Sequence, residues 1–409
     1  MHVAIFSDYY LPTLGGVQTS IKAQKDTLES AGHKVTLFCP LHEPSSDPSV
    51  VQMPTSHTFK PDGYPFCWPP KEAIPFAEDY IRDLGDVDII HCQSEMLASI
   101  SGAQAALKLE IPLIQTMHGR VDTYCTKVLP LPILSTWILA GLHKRNFPGD
   151  SQADIALTKD HYTKSIVGRR MWRLMVNQAN IAAHVVVPSQ HFTDKLHKQG
   201  VHKPLSVLSN GLDAETMLRI QPARLHQFNP SEEKLKVMWC GRISPEKRPL
   251  EFLEAIRNLT FPVEVNMYGA GPSMKKVRRF IKRHSLSEVV HLHGSVPQDH
   301  VLTAMRKNHV FVSTSYDFDN QPMVLLEAIA SATPVVICDP DLAEIFPPAG
   351  GIVTNTPQPE DLTASLTELY HHPERIEAMS SAMLAEQDRA TQQQYTNQLL
   401  EVYSDLLKA

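Results

Sequence analysis

Val310-Phe-Val-Ser-Thr-Ser-Tyr-Asp-Phe-Asp-Asn-Gln-Pro-Met-Val-Leu-Leu-Glu-Ala-Ile-Ala-Ser-Ala-Thr-Pro-Val-Val-Ile-Cys338 is the stretch that decides the fold of this chain of 409 residues. It begins with an apolar run at 310–314 and ends with another at 334–338. A polar turn and a helical pattern separate the two runs. A strand, a turn, a helix and a second strand in this order predict a parallel β-α-β unit.

Two carboxylates, Asp319 and Glu327, lie eight positions apart across the start of the predicted helix. Ligands of parallel sheets bind at the carboxyl ends of the strands, and a helix N-terminus favours phosphate groups. Glu327 could accept hydrogen bonds from ribose hydroxyls, and Asp319 from hydroxyls of a sugar. The segment therefore predicts a nucleotide-sugar site, and the alternative is an ordinary solvated helix start.

The alternation of strands and helices continues on both sides of this segment. A polar connector at about 221–234 separates two such halves, which predicts two Rossmann-like, doubly wound parallel-sheet α/β domains facing across a cleft. We expect the domains to cover 1–218 and 219–389, and we expect a long ordered loop in the proline-rich region 40–75. The remaining predicted strands are 3–7, 34–39, 88–92, 113–117, 185–189, 205–209, 236–240, 263–268 and 289–293.

The composition is typical of a soluble globular protein, with 43% hydrophobic and 20% charged residues. No stretch of 18 apolar residues occurs, so no membrane-spanning helix is expected. Because a strand already begins near residue 2, we expect no signal peptide. The six cysteines are scattered and lack metal-site spacing, which indicates buried thiols in a reducing cytosol.

The net charge of −6 conceals a basic region at 120–203. This region holds twelve Lys or Arg residues against five Asp and no Glu, an excess of seven positive charges. Such a region on an acidic protein indicates an anionic partner, either a membrane surface or a phosphorylated acceptor. A solvated face is the alternative. No nucleic-acid partner is expected.

Two strand-to-helix turns carry residues suited to phosphate. Gly15 and Gly16 follow the first strand, where they permit close approach of a ligand to the backbone; a bare tight turn is the alternative. Arg242 and Lys247 lie five positions apart after the first strand of the second half. Two cations at one point would neutralise a diphosphate leaving group, unless they form a solvated cluster.

Taken together, the motifs resemble those of the retaining glycosyltransferases of family 4, which have the GT-B architecture. They occur in the family's order between residues 12 and 327. One departure is Asp319, where the family usually has Glu, a side chain one methylene longer. The motifs that carry the resemblance are Gly15-Gly16-Val, Thr116-Met-His118-Gly, Asn210-Gly-Leu-Asp, Gly241-Arg-Ile-Ser-Pro-Glu-Lys247, Gly269-Ala-Gly271-Pro, His293-Gly-Ser-Val296-Pro and Asp319-x7-Glu327.

The resemblance implies roles for these residues. His118 would contact the donor sugar, although a lone His is more often structural, and Val296 would lie nearest the base. The implied catalytic residues are His118, Arg242, Lys247 and Asp319. The implied donor-binding residues are Gly15, Gly16, Gly269, Gly271, Val296, Asn320, Gln321, Met323, Val324 and Glu327.

The resemblance also implies the reaction, namely transfer of a hexose from a nucleoside-diphosphate sugar with retention of configuration. No Asp-x-Asp motif lies in a suitable turn, so we expect no metal and no cofactor, and Arg242 and Lys247 would stabilise the leaving group. We adopt front-face attack assisted by the leaving phosphate. In the family the last helix packs back on the first domain, and we expect residues 390–409 to do so.

Acceptor binding is expected in the first domain. The region from Tyr124 to 147 holds an apolar run with Trp137, and a second stretch combines Arg169, Arg170 and Arg173 with Trp172. Basic and aromatic residues together are typical of an interfacial helix at an anionic bilayer. The alternative is a buried helix with snorkelling arginines.

We therefore expect a cytoplasmic enzyme, peripheral on the inner face of the cell membrane, that acts on a diacylglycerol or phosphatidylinositol glycolipid. A soluble or polymeric glycan acceptor is a second hypothesis. Since the same fold hosts other functions, a nucleotide-sugar epimerase and an inactive binding paralogue are kept as further alternatives.

Overall fold

The computed structural model describes residues 1–11, 15–58, 60, 64–128, 131–147, 157–220 and 223–408. The chain divides into two compact units, Met1–Ser209 with Tyr395–Ala409, and Asn210–Gln394. Each unit is built on one parallel sheet with helices packed against it. The prediction of two doubly wound α/β halves is confirmed.

The first unit contains a seven-stranded sheet of order β3-β2-β1-β4-β5-β6-β7. Every neighbouring pair of strands is parallel. The strands are apolar along most of their length because both faces of the sheet are covered. They are β1 His2–Phe6, β2 Lys34–Pro40, β3 Val50–Met53, β4 Ile89–Cys92, β5 Leu113–Thr116, β6 His184–Val187 and β7 Leu205–Val207.

The helices of the first unit connect these strands. The region between β5 and β6 is the longest connection, and its described residues include the helices α4, α5 and α6. The helices are α1 Gly16–Ser30, α2 Pro70–Leu84, α3 Leu97–Leu109, α4 Val121–Val128, α5 Pro132–Asn146, α6 Ile166–Ile181 and α7 Gln190–Lys198.

The second unit contains a six-stranded parallel sheet of order β10-β9-β8-β11-β12-β13. Its strands are β8 Leu235–Cys240, β9 Val263–Tyr268, β10 Val290–Gly294, β11 Val310–Ser313, β12 Val335–Ile337 and β13 Gly351–Val353. Its helices are α8 Ala214–Ile220, α9 Pro249–Arg257, α10 Met274–Arg283, α11 Gln298–Met305, α12 Met323–Ala330, α13 Pro359–His371 and α14 Glu374–Ala385.

The last helix, α15, spans Gln392–Lys408. Its side chains Tyr395, Leu399 and Tyr403 are buried in a cluster that contains Val3 and Ile5 of β1. From residue 395 onward the C-terminus therefore belongs to the first unit.

Three features differ from the expectations. The region 40–75 is not one loop, since it contains β3 and the start of α2. Strands β3 and β13 were not predicted, because edge strands of four and three residues show little periodic pattern in the sequence. The division between the units falls after 209 rather than 218, because Leu212 and Ile220 pack in the core of the second unit.

The order of strands reverses direction once in each sheet, between β1 and β4 in the first and between β8 and β11 in the second. In open parallel sheets, ligands bind outside the carboxyl ends of the strands at such a switch point. The loops after β8 and β11 are therefore the place to look for a ligand site in the second unit.

Candidate functional site

Lys247 and Asp319 meet at the switch point of the second sheet. The Nζ atom of Lys247 lies 2.6 Å from Oδ1 and 2.7 Å from Oδ2 of Asp319. The first residue follows β8 and the second follows β11, two neighbouring strands. Both side chains are mostly buried, so this charge-assisted contact is only partly screened by water.

The backbone around Lys247 is held by its neighbours. Its carbonyl accepts a hydrogen bond of 2.7 Å from the Thr314 hydroxyl, which in turn accepts one of 3.0 Å from Trp239 Nε1. The ammonium also lies 5.2 Å from the centre of the Phe318 ring, a cation–π contact. These contacts position the cation before any ligand binds.

Arg242 lies in the same turn as Lys247, directly after β8, and its side chain is exposed. The turn is closed by hydrogen bonds from the Ser244 amide and hydroxyl to the carbonyl of Arg242. The two predicted cations are thus presented by one short turn at the carboxyl edge of the sheet.

Glu327 lies in the second turn of α12 and is 7% exposed. Gln298 Nε2 donates a hydrogen bond of 2.7 Å to its Oε1 atom. Burial raises the pKa of Glu327 to about 7. Additional hydrogen-bond donors stabilise the ionised form of such a buried carboxylate, and the two hydroxyls of a ribose are suitable donors.

The segment before α12 contains the other residues expected to bind the donor. Asn320 is buried, and Gln321 Oε1 accepts a hydrogen bond of 2.7 Å from the amide of Asn210. Gln321 therefore holds the Asn-Gly turn at the start of the unit. Met323 and Val324 form the first turn of α12 and are half-buried.

Gly269 and Gly271 allow two loops to pack backbone against backbone. A Cβ atom at Gly271 would lie 2.5 Å from the carbonyl oxygen of Ile243, and one at Gly269 would overlap the carbonyl of Gly241. Gly269 also has a positive φ of 127°. The loop after β9 thereby supports the turn that carries Arg242.

Val296 lies in the loop after β10 and is half-buried against the core of the second unit. In the same region the rings of His293 and Tyr268 stack at 4.3 Å, and His293 Nε2 lies 2.8 Å from Asn266 Oδ1. The predicted donor-binding residues of the second unit therefore lie on loops that follow its strands or in the first two turns of α12.

His118 lies after β5 in the first unit. Its Nε2 atom is 2.6 Å from Gln93 Oε1, so Nε2 carries the proton and donates. Burial lowers the pKa of His118 to about 4, which keeps the ring neutral near pH 7. His118 is therefore suited to hydrogen bonding rather than to carrying a positive charge.

A buried polar network supports Gln93. Its amide nitrogen donates to Gln24 Oε1 at 2.8 Å, and the Gln24 amide nitrogen lies 3.3 Å from the hydroxyl of Tyr403. That hydroxyl also lies 2.6 Å from Nδ1 of His91. The orientation of His118 thus depends, through these side chains, on α15.

Gly15 and Gly16 lie at the start of α1 and are exposed. The carbonyl of Gly15 accepts the first intrahelical hydrogen bond, 3.1 Å long, from the Thr19 amide. The first amides of α1, which have no partner within the helix, therefore lie at this exposed end.

The expectation that Trp172 contacts a membrane is wrong. Trp172 is 0% exposed and its ring lies 4.7 Å from that of Tyr162. The guanidinium of Arg120 lies over both rings and forms a buried ion pair with Asp122. The helix α6 buries residues at spacings of three and four, a core pattern that the sequence already contained.

Arg169 and Arg173 are exposed on α6, and Nη1 of Arg170 donates to the carbonyl of Ile133 at 2.7 Å. The alternative of a buried helix with arginines reaching solvent describes α6. Tyr124 lies in α4, but its side chain is outside the described part of the structure.

Two residues of the site were not anticipated. Gln93 directly follows the predicted strand 88–92, and a polar residue at the carboxyl end of a parallel strand could have been identified from the sequence as a candidate site residue. Gln298, the partner of Glu327, lies 29 residues from it in sequence and has no signature of its own. Among the described residues, no group of three or more His, Cys, Asp or Glu side chains is placed to hold a metal ion.

Comparison with known families and proteins gives consistent results. The family model described as Glycosyltransferase Family 4 matches residues 14–216, and that described as Glycosyl transferases group 1 matches 222–384. The chain is 22% identical to an alpha-monoglucosyldiacylglycerol synthase of Acholeplasma laidlawii, with 100% of this chain and 98% of the relative covered. It is 23% identical to the synthase of that name from Streptococcus pneumoniae, over 82% of this chain and 70% of the relative.

Solved structures show the same fold. Sucrose-phosphate synthase from Thermosynechococcus elongatus superposes with a TM-score of 0.70 at 14% identity, covering 100% of this chain and 99% of that one. Anabaena HepE, solved in complex with UDP-glucose, superposes with a TM-score of 0.67 at 15% identity, covering 99% and 100%.

Proposed function

The chain belongs to glycosyltransferase family 4 and has the GT-B fold, and we propose that it transfers a hexose from a nucleoside-diphosphate sugar to a membrane lipid of the diacylglycerol or phosphatidylinositol type. The observation that carries the proposal is the meeting of Lys247 and Asp319 at the switch point of the second sheet, next to the helix that bears Glu327. The lipid acceptor is supported by the two relatives named as glucosyldiacylglycerol synthases.

In the proposed reaction, Lys247 and Arg242 neutralise the negative charge that develops on the departing diphosphate. Glu327 accepts hydrogen bonds from the ribose, and Asp319 orients the sugar. The acceptor hydroxyl attacks the anomeric carbon from the face that the phosphate leaves, and its proton passes to a phosphate oxygen. His118 as a contact of the donor sugar stays a prediction carried by the resemblance.

We place the reaction in the cytoplasm, at the inner face of the cell membrane. The six cysteines are unpaired and five of them are buried, which fits a reducing compartment. Within the described ranges, no helix is long and apolar enough to cross a bilayer.

The test is to incubate the protein with labelled nucleotide-sugars and a lipid extract. A labelled glycolipid with the anomeric configuration of the donor, read by NMR, supports the proposal. An isomerised sugar nucleotide would indicate an epimerase, and binding without turnover would indicate a binding protein. Transfer only to a soluble glycan would assign the second hypothesis instead.

We further propose that the reaction needs no metal ion, because Arg242 and Lys247 lie in one turn after β8 and would supply the positive charge that a metal ion otherwise gives to a leaving group. Activity is expected to survive EDTA unchanged. Complete loss of activity that Mg²⁺ or Mn²⁺ restores would contradict this.

A further inference from the structure

Helix α5 exposes an apolar face. Ile133 is 61% exposed, Leu134 50%, Trp137 62% and Ile138 49%. Their spacing of three and four residues places them on one side of the helix. Large apolar side chains that adjoin one another at the surface mark an interaction site, whereas single ones are normal.

Basic side chains border this face. Lys144 and Arg145 are exposed in the last turn of α5, and Arg169 and Arg173 are exposed on the neighbouring helix α6. Arg170 joins the two helices through its hydrogen bond to the carbonyl of Ile133. An apolar face with a cationic border is complementary to an anionic lipid bilayer, where tryptophan favours the interface.

The inner flank of α5 closes a cavity of about 310 Å³. Leu139 and Leu142 form one wall of the cavity. Three aromatic side chains of the loop between β3 and α2, Tyr64, Phe66 and Trp68, also line the cavity. A cavity lined mainly by aliphatic and aromatic carbon suits a hydrocarbon chain.

Ile138 belongs to both surfaces, since it lines the cavity and is half exposed on the outer face of α5. The cavity also reaches Asp8, which follows β1 at the switch point of the first sheet. An apolar path therefore runs from the outer face of the helix toward the edge of the sheet where ligands of this fold bind.

We propose that the apolar face of α5 docks on an anionic bilayer and that the adjoining cavity receives one acyl chain of the lipid acceptor. This inference rests on the proposed function. It assigns the acceptor's hydrophobic part to a site in the first unit, while Asp8 and its neighbours lie nearer the lipid's polar group.

The docking surface is tested by flotation with phosphatidylglycerol vesicles and with phosphatidylcholine vesicles. The variant Ile133→Ser/Trp137→Ser is expected to bind the phosphatidylglycerol vesicles at least about tenfold more weakly than the unmodified protein, because each substitution removes a large apolar contact. The matched control is Leu218→Ser, whose side chain is 75% exposed on α8 of the second unit. Binding that the double variant leaves unchanged would overturn the docking surface.

The cavity is tested with Ser135→Trp, because Ser135 lines the cavity and a Trp side chain would fill it. Binding of a fluorescent fatty acid is expected to weaken roughly tenfold or more, with vesicle binding retained. Transfer to a long-chain diacylglycerol is expected to show a raised KM, and transfer to a short-chain, water-dispersed diacylglycerol much less change.

Circular dichroism and donor binding check that Ser135→Trp folds, and Leu142→Trp provides a second way to fill the same cavity. Equal binding of the fatty acid by the unmodified protein and both variants would overturn the cavity assignment. If the unmodified protein transfers sugar to no lipid, the proposed function fails, while the fatty-acid and vesicle measurements still decide this inference.

Discussion

Both carboxylate oxygens of Asp319 accept hydrogen bonds from the ammonium of Lys247. Asp319, which we expect to orient the sugar, therefore also positions Lys247, which we expect to bind the diphosphate. Asp at this position is one methylene shorter than the family's usual Glu. The contact is made nevertheless, because the turns after β8 and β11 are neighbours in the sheet. The shorter acid is therefore compatible with a formed site.

Lys247→Ala is expected to lower kcat by about 10²–10³, as when one preorganised charge contact to a leaving group is lost. Steady-state kinetics with a fixed lipid acceptor measures this. The control is Lys276→Ala, an exposed lysine of α10. An unchanged kcat in a folded Lys247→Ala protein would remove this residue from the diphosphate site.

Glu327 predicts a pH dependence of stability. Its pKa is raised by burial from 4.5 to about 7, so the folded state favours the protonated form. The contribution of protonated Glu327 to the free energy of unfolding is fully present below about pH 4.5 and is lost as the pH rises through 7. At alkaline pH the folded protein is therefore less stable by about 3 kcal/mol than it is below about pH 4.5. Glu327→Gln is expected to gain stability relative to the unmodified protein between pH 5 and pH 8.

The measurement is the free energy of opening of β11 and β12 by amide hydrogen exchange at the two pH values. The same substitution should remove the rise of donor affinity toward neutral pH, since the ionised form is the better hydrogen-bond acceptor. A difference between the proteins that does not vary with pH would show that Glu327 does not titrate in this range.

At the scale of elements, the loops after β8 and β9 are joined by backbone hydrogen bonds. The Gly241 amide bonds to the carbonyl of Tyr268, and the amides of Ile243 and Ser273 bond to the carbonyls of Ala270 and Ile243. These contacts bring main chains so close that no side chain fits between them. The turn that presents Arg242 and Lys247 thus depends on glycines of the neighbouring loop.

Gly269→Ala is expected to destabilise the second unit by about 3–4 kcal/mol, because a methyl group would overlap the Gly241 carbonyl and the positive φ disfavours alanine. Gly294→Ala is the matched control, since Gly294 has a φ of 73° but open space around it. Its expected cost is about 1–2 kcal/mol. Denaturant unfolding compares the two variants, and equal losses would contradict the close-packing argument.

At the scale of the whole molecule, the C-terminal helix α15 belongs, from Tyr395 onward, to the same unit as the N-terminal residues. Helix α15 buries Tyr395, Leu399 and Tyr403 against β1 and joins the polar network that reaches His118. The C-terminal residues are therefore part of the core of the first unit and part of the support of a candidate catalytic residue.

Leu399→Ala is expected to destabilise the first unit by about 2–5 kcal/mol, the usual cost of a cavity in a core. Leu407→Ala, on the same helix but 42% exposed, is expected to change stability by less than about 0.5 kcal/mol. Hydrogen exchange of β1 and β2 measures both effects. Equal protection in the two variants would show that α15 does not stabilise this sheet.

Much of the fold was predictable because its signals are local. The strand 263–268 was predicted with the bounds that the structure shows. The family assignment was predictable for the same reason, since each motif occupies one turn after one strand. The edge strands β3 and β13 were missed because three or four residues show no clear period.

The sequence by itself determined the alternation of strands and helices, the parallel sheets, and the carboxyl edges at which Lys247, Asp319 and Glu327 stand. Only the tertiary structure decided which side chains meet. Lys247 and Asp319 are 72 residues apart, and the partners of Glu327 and His118 are likewise distant in the chain. Trp172 is buried, whereas the apolar face of α5 is exposed. The tertiary structure decided both, because the burial of a helical side chain depends on which elements pack on that side of the helix.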